Sequence, residues 1–494
     1  MSAPATRWMI GFACCCAVAW PMPGWQAPAQ PAAKAATVTR LYVEPFTTKA
    51  GSEKLRGDVI AELRKLSSIS LLPGESGADV ILGGGGEIWI RGYRSLNPRS
   101  GRSPSNGTPV YGGFLSVELR DAKGETLWSY LATPGAASGD ISNSLSKQIA
   151  KRVADALQQD KALQKSDPPS GALPPPQPMA TLHGAGATFP YPVYAKWFTN
   201  YRRENPDVEI AYDPVGSEAG VRRLLAGEVD FAGSDSPEAI SRIAPGEEGR
   251  YLLFPSVVGA VVPIVNLPGV SGDIAFTPEV LAGIYLGKIR KWNDPRLKQA
   301  NPGIRLPDLD IVVVHRLDGS GTSYAWTDYL SQTSPEWKTQ VGSGLGPQWP
   351  AGRAANGNEG VAGLVKEQGG SIGYVEFIYA LRNHLNFGKV RNQNGEFVGA
   401  SLESIGVAAR KAMEISDDLK VSIVNAPGAG AYPIASFTWL IVPVHIADGM
   451  KRSAITEFLK WMLGPGQTQA AALGYVALPK DLIGRERDAI AGIH

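Results

Sequence analysis

Cysteine is nearly absent from this chain of 494 residues, and its three cysteines stand side by side at positions 14–16. They belong to an apolar stretch, Trp8–Trp20, that follows Arg7 and precedes Pro- and Ala-rich sequence. A basic start, a short apolar run and small residues are typical of a secretory signal peptide, which we place at residues 1–36. Cleavage would leave no cysteine, which excludes disulfides and thiolate metal sites. A lipid anchor at Cys14 is the alternative, although the residues before it make a poor acylation signal.

A surplus of charge of either sign is also missing. The chain carries 48 Lys and Arg against 46 Asp and Glu, for a net charge of +2. This balance gives no reason to expect nucleic acid or an anionic membrane as a partner. Apolar runs of the length that spans a bilayer, about 20 residues, are lacking as well. With 44% hydrophobic residues, the composition is that of a globular protein of two or three domains.

Signatures of catalysis and of metal binding are lacking too. The five histidines are scattered, at His183, His315, His384, His445 and His494. No spacing among them suits a metal ion. The segments GSGT and GSEAG do not match the G-x-S-x-G nucleophile elbow, and the four glycines at positions 83–86 lack the Lys-Ser/Thr of a P-loop. We therefore expect neither an enzyme nor a bound cofactor.

Glycine and proline are abundant, with 57 and 38 residues, and they divide the chain. A small α+β module is predicted at residues 37–164, with separate strands on the two sides of the Gly83–Gly86 tract and a mobile loop over Arg94–Pro109. A Pro-rich linker follows at residues 165–179. Its composition favours an extended chain and separates the module from the rest.

Residues 180–494 alternate between strand-like and helix-like segments. Val208–Tyr212 and Asp310–Val314 are typical of strands, whereas Pro278–Leu286 and Ser323–Gln332 have the apolar spacing of helices. This alternation predicts an α/β architecture.

Three Gly-rich turns in this region each lead into a predicted helix. They are Gly184–Pro190, Gly216–Gly220 and Arg316–Thr322. Thr188 and Ser217 are predicted to cap the first two helices. A helix N-terminus offers unpaired N–H donors and the positive end of a dipole, so that it attracts anions. Taken alone, each of the first two turns is also explained as an ordinary helix cap. Together they predict a cage for a small tetrahedral oxyanion, with phosphate as the first candidate.

The third turn, RLDGSGT, carries the strongest signal. Arg316 can offer two parallel hydrogen bonds to an oxyanion, and Asp318 can hold its guanidinium in place. Ser320, the Gly321 N–H and Thr322 can complete the set of donors. The alternative is a surface Arg–Asp pair beside a capped helix.

The order of motifs over residues 180–480 resembles that of the periplasmic phosphate-binding protein of the ABC phosphate importer. The matching stretches include GAGATFPYPVYAKWF, DFAGSDSP, YLGKIRKWNDP, VHRLDGSGTSYAWTDYLS, GNEGVAGLVKEQGGSIGYVE and GYVALP. The resemblance implies a two-lobed fold with a hinge, preceded here by the extra module. The first lobe would comprise residues 180–264 and 434–494, and the second residues 265–433. Closure of the hinge would trap phosphate between them.

The resemblance also implies a set of phosphate ligands. These are Thr188, Phe189 through its N–H, Ser217, Asp235, Arg316, Ser320, Gly321 through its N–H, and Thr322, with Asp318 behind the arginine. Asp235 is the one member that the turns did not indicate. A carboxylate in an anion site is useful only if it accepts a hydrogen bond from a ligand that keeps a proton. Phosphate keeps one near pH 7, where its second pKa is roughly 6–7, and sulfate does not. Asp235 is therefore the predicted specificity residue, with a helix cap as its alternative interpretation.

Glu218 departs from the family pattern, because the family more often carries a small residue after the serine. An acid there would weaken anion binding unless it turns to solvent or pairs with Arg222, four residues later.

The sequence thus predicts an exported, monomeric protein that captures inorganic phosphate and delivers it to the permease subunits of an ABC transporter. Two alternatives stay open. One is an envelope sensor or scaffold that acts through the N-terminal module. The other is a binder of a different protonated oxyanion, such as arsenate.

Overall fold

The computed structural model describes residues 38–46, 52–94, 108–134, 141–159, 179–270, 272–414 and 422–494. The predicted signal peptide, residues 165–178 of the predicted linker, and residues 95–107 of the predicted loop lie outside this part of the chain. Within the described residues, no helix has both the length and the apolar character needed to cross a membrane.

The described residues between 38 and 159 form a module with one five-stranded sheet and two helices. Its elements are β1 (Thr39–Val43), α1 (Ser52–Leu63), β2 (Ile69–Leu72), β3 (Val80–Arg94), β4 (Thr108–Asp121), β5 (Thr126–Ala132) and α2 (Ile141–Gln159). The strand order is β2-β1-β3-β4-β5, so that β5 is an edge strand. Leu55 and Val59 of α1 and Ile149 and Val153 of α2 are fully buried in a core of their own. These apolar residues at helical spacing therefore mark the faces that pack on the sheet.

The glycine tract of the module does not interrupt a strand, which corrects the prediction of two strands around it. β3 runs through all four glycines and pairs with β4 along its whole length. A Cβ atom at Gly84 would lie 2.4 Å from the Ser116 carbonyl oxygen, and one at Gly86 would lie 2.7 Å from that of Phe114. The glycines thus serve close approach of the two backbones rather than a turn.

The larger domain contains the remaining strands. They are β6 (Ala180–Gly186), β7 (Val208–Asp213), β8 (Phe231–Ser234), β9 (Tyr251–Asn266), β10 (Ala275–Phe276), β11 (Val312–Arg316), β12 (Arg353–Ala355), β13 (Ser371–Glu376), β14 (Asn386–Phe387), β15 (Lys389–Arg391), β16 (Phe397–Val398) and β17 (Ala435–Pro443). The alternation with helices confirms the predicted α/β class.

Helices flank these strands throughout the domain. They are α3 (Tyr191–Glu204), α4 (Ser217–Leu225), α5 (Ala239–Ile243), α6 (Pro278–Tyr285), α7 (Pro295–Ala300), α8 (Gly321–Thr333), α9 (Pro335–Gln340), α10 (Gly357–Glu367), α11 (Phe377–Arg382), α12 (Leu402–Met413), α13 (Gly449–Trp461), α14 (Gln467–Gln469) and α15 (Lys480–Ala489).

The long strand β9 joins two sheets of the larger domain. Its residues 251–260 pair with β17, in a first sheet that also holds β6, β7 and β8. Its residues 261–266 pair with β13, in a second sheet that also holds β11, β12 and β14. β6, β7 and β8 are mutually parallel, as are β11, β12 and β13. The carboxyl ends of parallel strands form one edge, where ligand-binding loops collect.

The N-terminal module is packed against the larger domain through β4 and β5. The Thr468 hydroxyl donates to the Thr126 carbonyl at 2.8 Å, and the Ser116 hydroxyl donates to the Ala472 carbonyl at 2.6 Å. Leu131 of β5 is 2% exposed and belongs to the core of the larger domain. A further contact reaches residues near the second sheet, where Nε2 of His384 lies 2.8 Å from a carboxylate oxygen of Glu87.

Candidate functional site

The first Gly-rich turn follows β6 and places Thr188 at the edge of the first sheet. Thr188 is not the N-cap of α3, contrary to the prediction. Pro190 occupies that position, without a side-chain cap, and α3 begins at Tyr191. The Thr188 carbonyl accepts from the Tyr191 N–H, which inserts a turn before the helix. The Thr188 side chain is therefore released from capping, and its Oγ1 accepts a hydrogen bond of 2.8 Å from Nδ2 of Asn358.

The backbone around Phe189 is held by two buried tyrosines. The Tyr379 hydroxyl donates to the Thr188 carbonyl at 2.8 Å, and the Tyr475 hydroxyl donates to the Phe189 carbonyl at 2.6 Å. The Phe189 ring is fully buried, and a Cβ at Gly259 would approach it to 2.6 Å. Because the peptide is planar and trans, fixing the Thr188 carbonyl also fixes the direction of the Phe189 N–H.

Ser217 is the first residue of α4 rather than its cap, which corrects the second cap prediction. Gly216 takes the N-cap position with a φ of 95°, a conformation that favours glycine. The Ser217 hydroxyl is fully buried. It accepts a hydrogen bond of 3.0 Å from the Gly321 N–H and a longer one, 3.5 Å, from the Asp235 N–H.

Asp235 follows β8 and is 1% exposed. Its Oδ1 accepts a hydrogen bond of 2.7 Å from the Thr438 hydroxyl. The next helix, α5, begins at Ala239 with Glu238 as its N-cap, so Asp235 does not cap it. Burial raises the pKa of Asp235 to about 7, although the bond from Thr438 and the charge of Arg316 act in the opposite direction. Asp235 is thus a carboxyl group that exchanges its proton near neutral pH.

The buried Arg316 forms an ion pair with the partly buried Asp318 at the carboxyl end of β11. Nε of Arg316 donates to Oδ1 of Asp318 at 2.7 Å, and a second bond joins Nη2 to Oδ2. The arginine side chain is 1% exposed. Burial raises the pKa of Asp318, but the hydrogen bonds and the charge of Arg316 outweigh it, and the net pKa lies below the usual value. The pair therefore stays ionised, with the guanidinium oriented in the plane of the carboxylate.

The helix α8 begins where the third turn ends. Ser320 is its N-cap and accepts from the Ser323 N–H at 3.1 Å. Thr322, on the first turn of the helix, is 1% exposed and its Oγ1 accepts from Nη1 of Arg316 at 3.3 Å. The helix therefore starts with its N–H groups beside the guanidinium, and both favour a negative charge.

The loops that follow the strands of the first sheet contact those that follow the strands of the second sheet. We call Thr188, Ser217 and Asp235 the first wall, and Arg316–Thr322 the second wall. Besides the bond from the Gly321 N–H to Ser217, the Glu218 N–H donates to the Gly319 carbonyl at 3.1 Å. A Cβ at Gly321 would lie only 2.6 Å from Oδ2 of Asp235. Glycine at this position thus permits the contact of the walls.

Glu218 forms an ion pair with Arg222, which is one of the two arrangements predicted for this acid. Nη2 of Arg222 lies 2.7 Å from Oε1 of Glu218, one helical turn away on α4. The acid is thereby neutralised by a partner on its own helix and does not act against an anion between the walls.

Asn358 and Glu376 are buried residues of the site that sequence reasoning missed. They lie at the carboxyl ends of β12 and β13, next to Arg316 at the end of β11. Asn358 contacts both walls, since its Nδ2 lies 2.8 Å from Thr188 Oγ1 and 3.5 Å from Thr322 Oγ1. Burial raises the pKa of Glu376 well above its usual value, which favours the protonated form. Both residues lie at the carboxyl ends of strands next to β11. This position would have indicated them if the strand order had been known from the sequence.

The predicted ligands thus lie in buried loops that meet where the two walls contact each other. One arginine is balanced by Asp318, and two further buried acids, Asp235 and Glu376, have raised pKa values. Among the described residues, no cluster of His, Cys, Asp and Glu could hold a metal ion. The arrangement suits a small oxyanion that carries at least one proton.

Comparison with known proteins places this geometry in context. Residues 170–465 match the PBP superfamily domain. The phosphate-binding protein PstS of Pasteurella multocida is 41% identical over 305 residues, which are 61% of this chain and 88% of that protein. PstS of Xylella fastidiosa (strain Temecula1) is 42% identical over 304 residues, 61% of this chain and 82% of that protein. The crystal structure of a DING protein superposes with a TM-score of 0.50 at 22% identity, over 62% of this chain and 94% of that one, which shows a shared fold.

Proposed function

Because the chain belongs to the PBP superfamily and, within it, to the PstS phosphate-binding proteins, we propose that it captures inorganic phosphate and delivers it to the permease subunits of an ABC transporter. Its role is that of a substrate-binding component of transport. We further propose that it has no catalytic activity and that it works as an exported, periplasmic monomer.

The observation that carries the proposal is the meeting of the two walls around Asp235. Ser217, the Gly321 N–H and the carboxyl group of Asp235 lie together. The guanidinium of Arg316 lies beside them, because it donates to the hydroxyl oxygen of Thr322, the residue after Gly321. Donors on both sides suit the oxygens of a tetrahedral anion. The carboxyl group of Asp235 suits the one hydroxyl group of hydrogenphosphate, because that hydroxyl can donate to it.

Hinge closure accompanies binding in this proposal. The walls stand on two sheets that share β9, so a bend of β9 and β17 would separate Thr188, Ser217 and Asp235 from the second wall. The bonds between Ser217 and Gly321 and between Glu218 and Gly319 belong to the closed arrangement. Phosphate would bridge the same walls and stabilise closure.

The test is calorimetric titration of phosphate into purified protein that has been stripped of phosphate by refolding or exhaustive exchange. We expect one site per chain with micromolar or tighter affinity. Absence of binding at micromolar ligand would overturn the proposal. Incubation with phosphate esters, in which we expect no release of phosphate, tests the proposed lack of catalysis separately.

A further inference from the structure

Asn358 is a fully buried side chain that contacts residues of both walls. It is the second residue of α10, directly after the turn that follows β12. Neither the Gly-rich turns nor the charge pattern indicated it. The inference drawn from it rests on the proposed function, since it concerns how the walls present their donors to phosphate.

The orientation of the Asn358 amide is determined by its neighbours. Oδ1 lies 2.9 Å from the backbone nitrogen of Glu376, a group that can only donate. The oxygen of the amide must therefore face Glu376, and the NH₂ group must face the two threonines. Nδ2 consequently donates to Oγ1 of Thr188 at 2.8 Å and approaches Oγ1 of Thr322 at 3.5 Å.

The donation restricts what each hydroxyl group can do. A threonine hydroxyl has two lone pairs and one hydrogen. At Thr322 the lone pairs face Nη1 of Arg316 at 3.3 Å and Nδ2 of Asn358, which leaves the hydrogen to be donated elsewhere. At Thr188 the amide occupies one lone pair of the oxygen, and the hydrogen of the hydroxyl group stays available to be donated.

We propose that Asn358 is a positioning residue that turns the hydroxyl groups of Thr188 and Thr322 into donors for the bound anion. It also links a loop of the first sheet to the start of α8, which follows the second sheet, and so helps to hold the walls in register. Its own amide need not touch phosphate. Specificity for an anion follows, because a ligand that offers hydrogen atoms finds both lone pairs of Thr322 and one of those of Thr188 occupied.

The decisive variant is Asn358→Asp, which keeps the shape of the side chain and the bond from the Glu376 N–H. Its ionised carboxylate would accept from the threonine hydroxyls and turn both hydrogens away from the anion. Loss of two hydrogen bonds to a charged ligand predicts at least about a 100-fold lower phosphate affinity at pH 8. A protonated carboxyl group can donate as the amide does, so the deficit relative to the wild type should shrink as the pH falls toward 5.

Other ionisable groups surround this position and are present in both proteins. They are Asp235, Arg316, Asp318, Glu359, Glu376 and Tyr379. The second ionisation of phosphate is common to both proteins as well. The quantity that tests the proposal is therefore the ratio of the two dissociation constants at each pH.

Asn301→Asp is a matched control. Asn301 is 4% exposed and, like Asn358, uses both ends of its amide, here with the backbone of Ala275 and Leu297. None of these partners belongs to either wall. We expect Asn301→Asp to lower the unfolding temperature without a pH-dependent loss of phosphate affinity.

A second variant protects the test against misfolding of Asn358→Asp. Phosphate affinity is measured for Asn358→Ala, for Thr188→Val and for the double variant that carries both substitutions. If Asn358 acts through Thr188, the double variant should bind little worse than the weaker single variant.

The outcomes separate the two proposals. A wild-type protein that fails to bind phosphate overturns the proposed function. A wild-type protein that binds phosphate, together with an Asn358→Asp variant of unchanged affinity or with a deficit that does not vary with pH, overturns only the role of Asn358. Strictly additive losses in the double variant would do the same.

Discussion

Replacement of Asp235 by asparagine is the most informative single perturbation of this site. The carboxyl group is 1% exposed, its Oδ1 accepts from Thr438, and its Oδ2 lies beside Gly321 of the second wall. Asparagine has nearly the same shape and can still accept from Thr438 through its oxygen. Its NH₂ group would then face the ligand. The substitution converts an acceptor into a donor and removes a negative charge, with little change in packing.

The size of the expected change in sulfate affinity follows from the burial of the Asp235 carboxylate. In the wild type, a fully deprotonated anion such as sulfate would place an oxygen against a buried carboxylate with no hydrogen between them. Leaving a buried charged group without a partner costs about 2–5 kcal/mol, or roughly 30- to 5000-fold in affinity. We therefore expect Asp235→Asn to tighten sulfate binding by about 100- to 1000-fold. Phosphate affinity should change by less than about tenfold, because the amide can donate to a phosphate oxygen.

The assay is calorimetric titration of both anions at pH 8, where a group with a pKa of about 7 is mostly ionised. Glu218→Gln is the matched control, since it also removes one negative charge close to Ser217 but from a residue paired with Arg222. Unchanged sulfate affinity in Asp235→Asn would refute the reasoning. So would an equal gain in Glu218→Gln, because the effect would then be one of net charge.

Three further predictions concern the second wall, stability and the module. Arg316→Lys should lower phosphate affinity by about 100-fold in titrations, because lysine cannot make the two-pronged contact with Asp318; affinity within threefold of the wild type would contradict this. The folded-state pKa of Asp235 exceeds its unfolded value, so the folded protein holds a proton that the unfolded chain releases. The free energy of unfolding of ligand-free protein should therefore fall as the pH rises from about 4 to 7, by up to about 4 kcal/mol from this group, and denaturant titrations of Asp235→Asn should show a flatter pH dependence; equal slopes would argue against it. Glu87→Gln should weaken phosphate binding by about two- to fivefold if its contact with His384 belongs to the closed form only, and identical affinities would show that the contact does not respond to closure.

Much of the fold could be predicted because the signals are local. The apolar spacing of helices such as α6 and α8 is written in consecutive residues, and the observed bounds lie within a few residues of those predicted. The Gly83–Gly86 tract shows the limit of such reasoning. Glycine favours turns in general, but here its lack of a side chain serves contact with β4, a partner that only the folded sheet supplies.

The two cap predictions were wrong for a related reason. Thr188 and Ser217 are good caps in isolation, and the sequence contains nothing that forbids it. In the structure their hydroxyl groups bond to Asn358 and Gly321, which are 170 and 104 residues away. A side chain has one set of hydrogen bonds to make, and a distant buried partner competes with the neighbouring backbone.

The sequence by itself determined the chemistry that each loop can offer: a Gly-Ser-Gly-Thr turn before a helix, and an arginine two residues from an acid. These depend on groups a few bonds apart, so local spacing is sufficient. The tertiary structure alone decided that the loops face one another, that Asn358 joins Thr188 to Thr322, and that Asp235 has a pKa of about 7. Those properties arise from removal of water by residues far apart in the chain, and the energy of a buried charge or hydrogen bond depends on what has replaced that water.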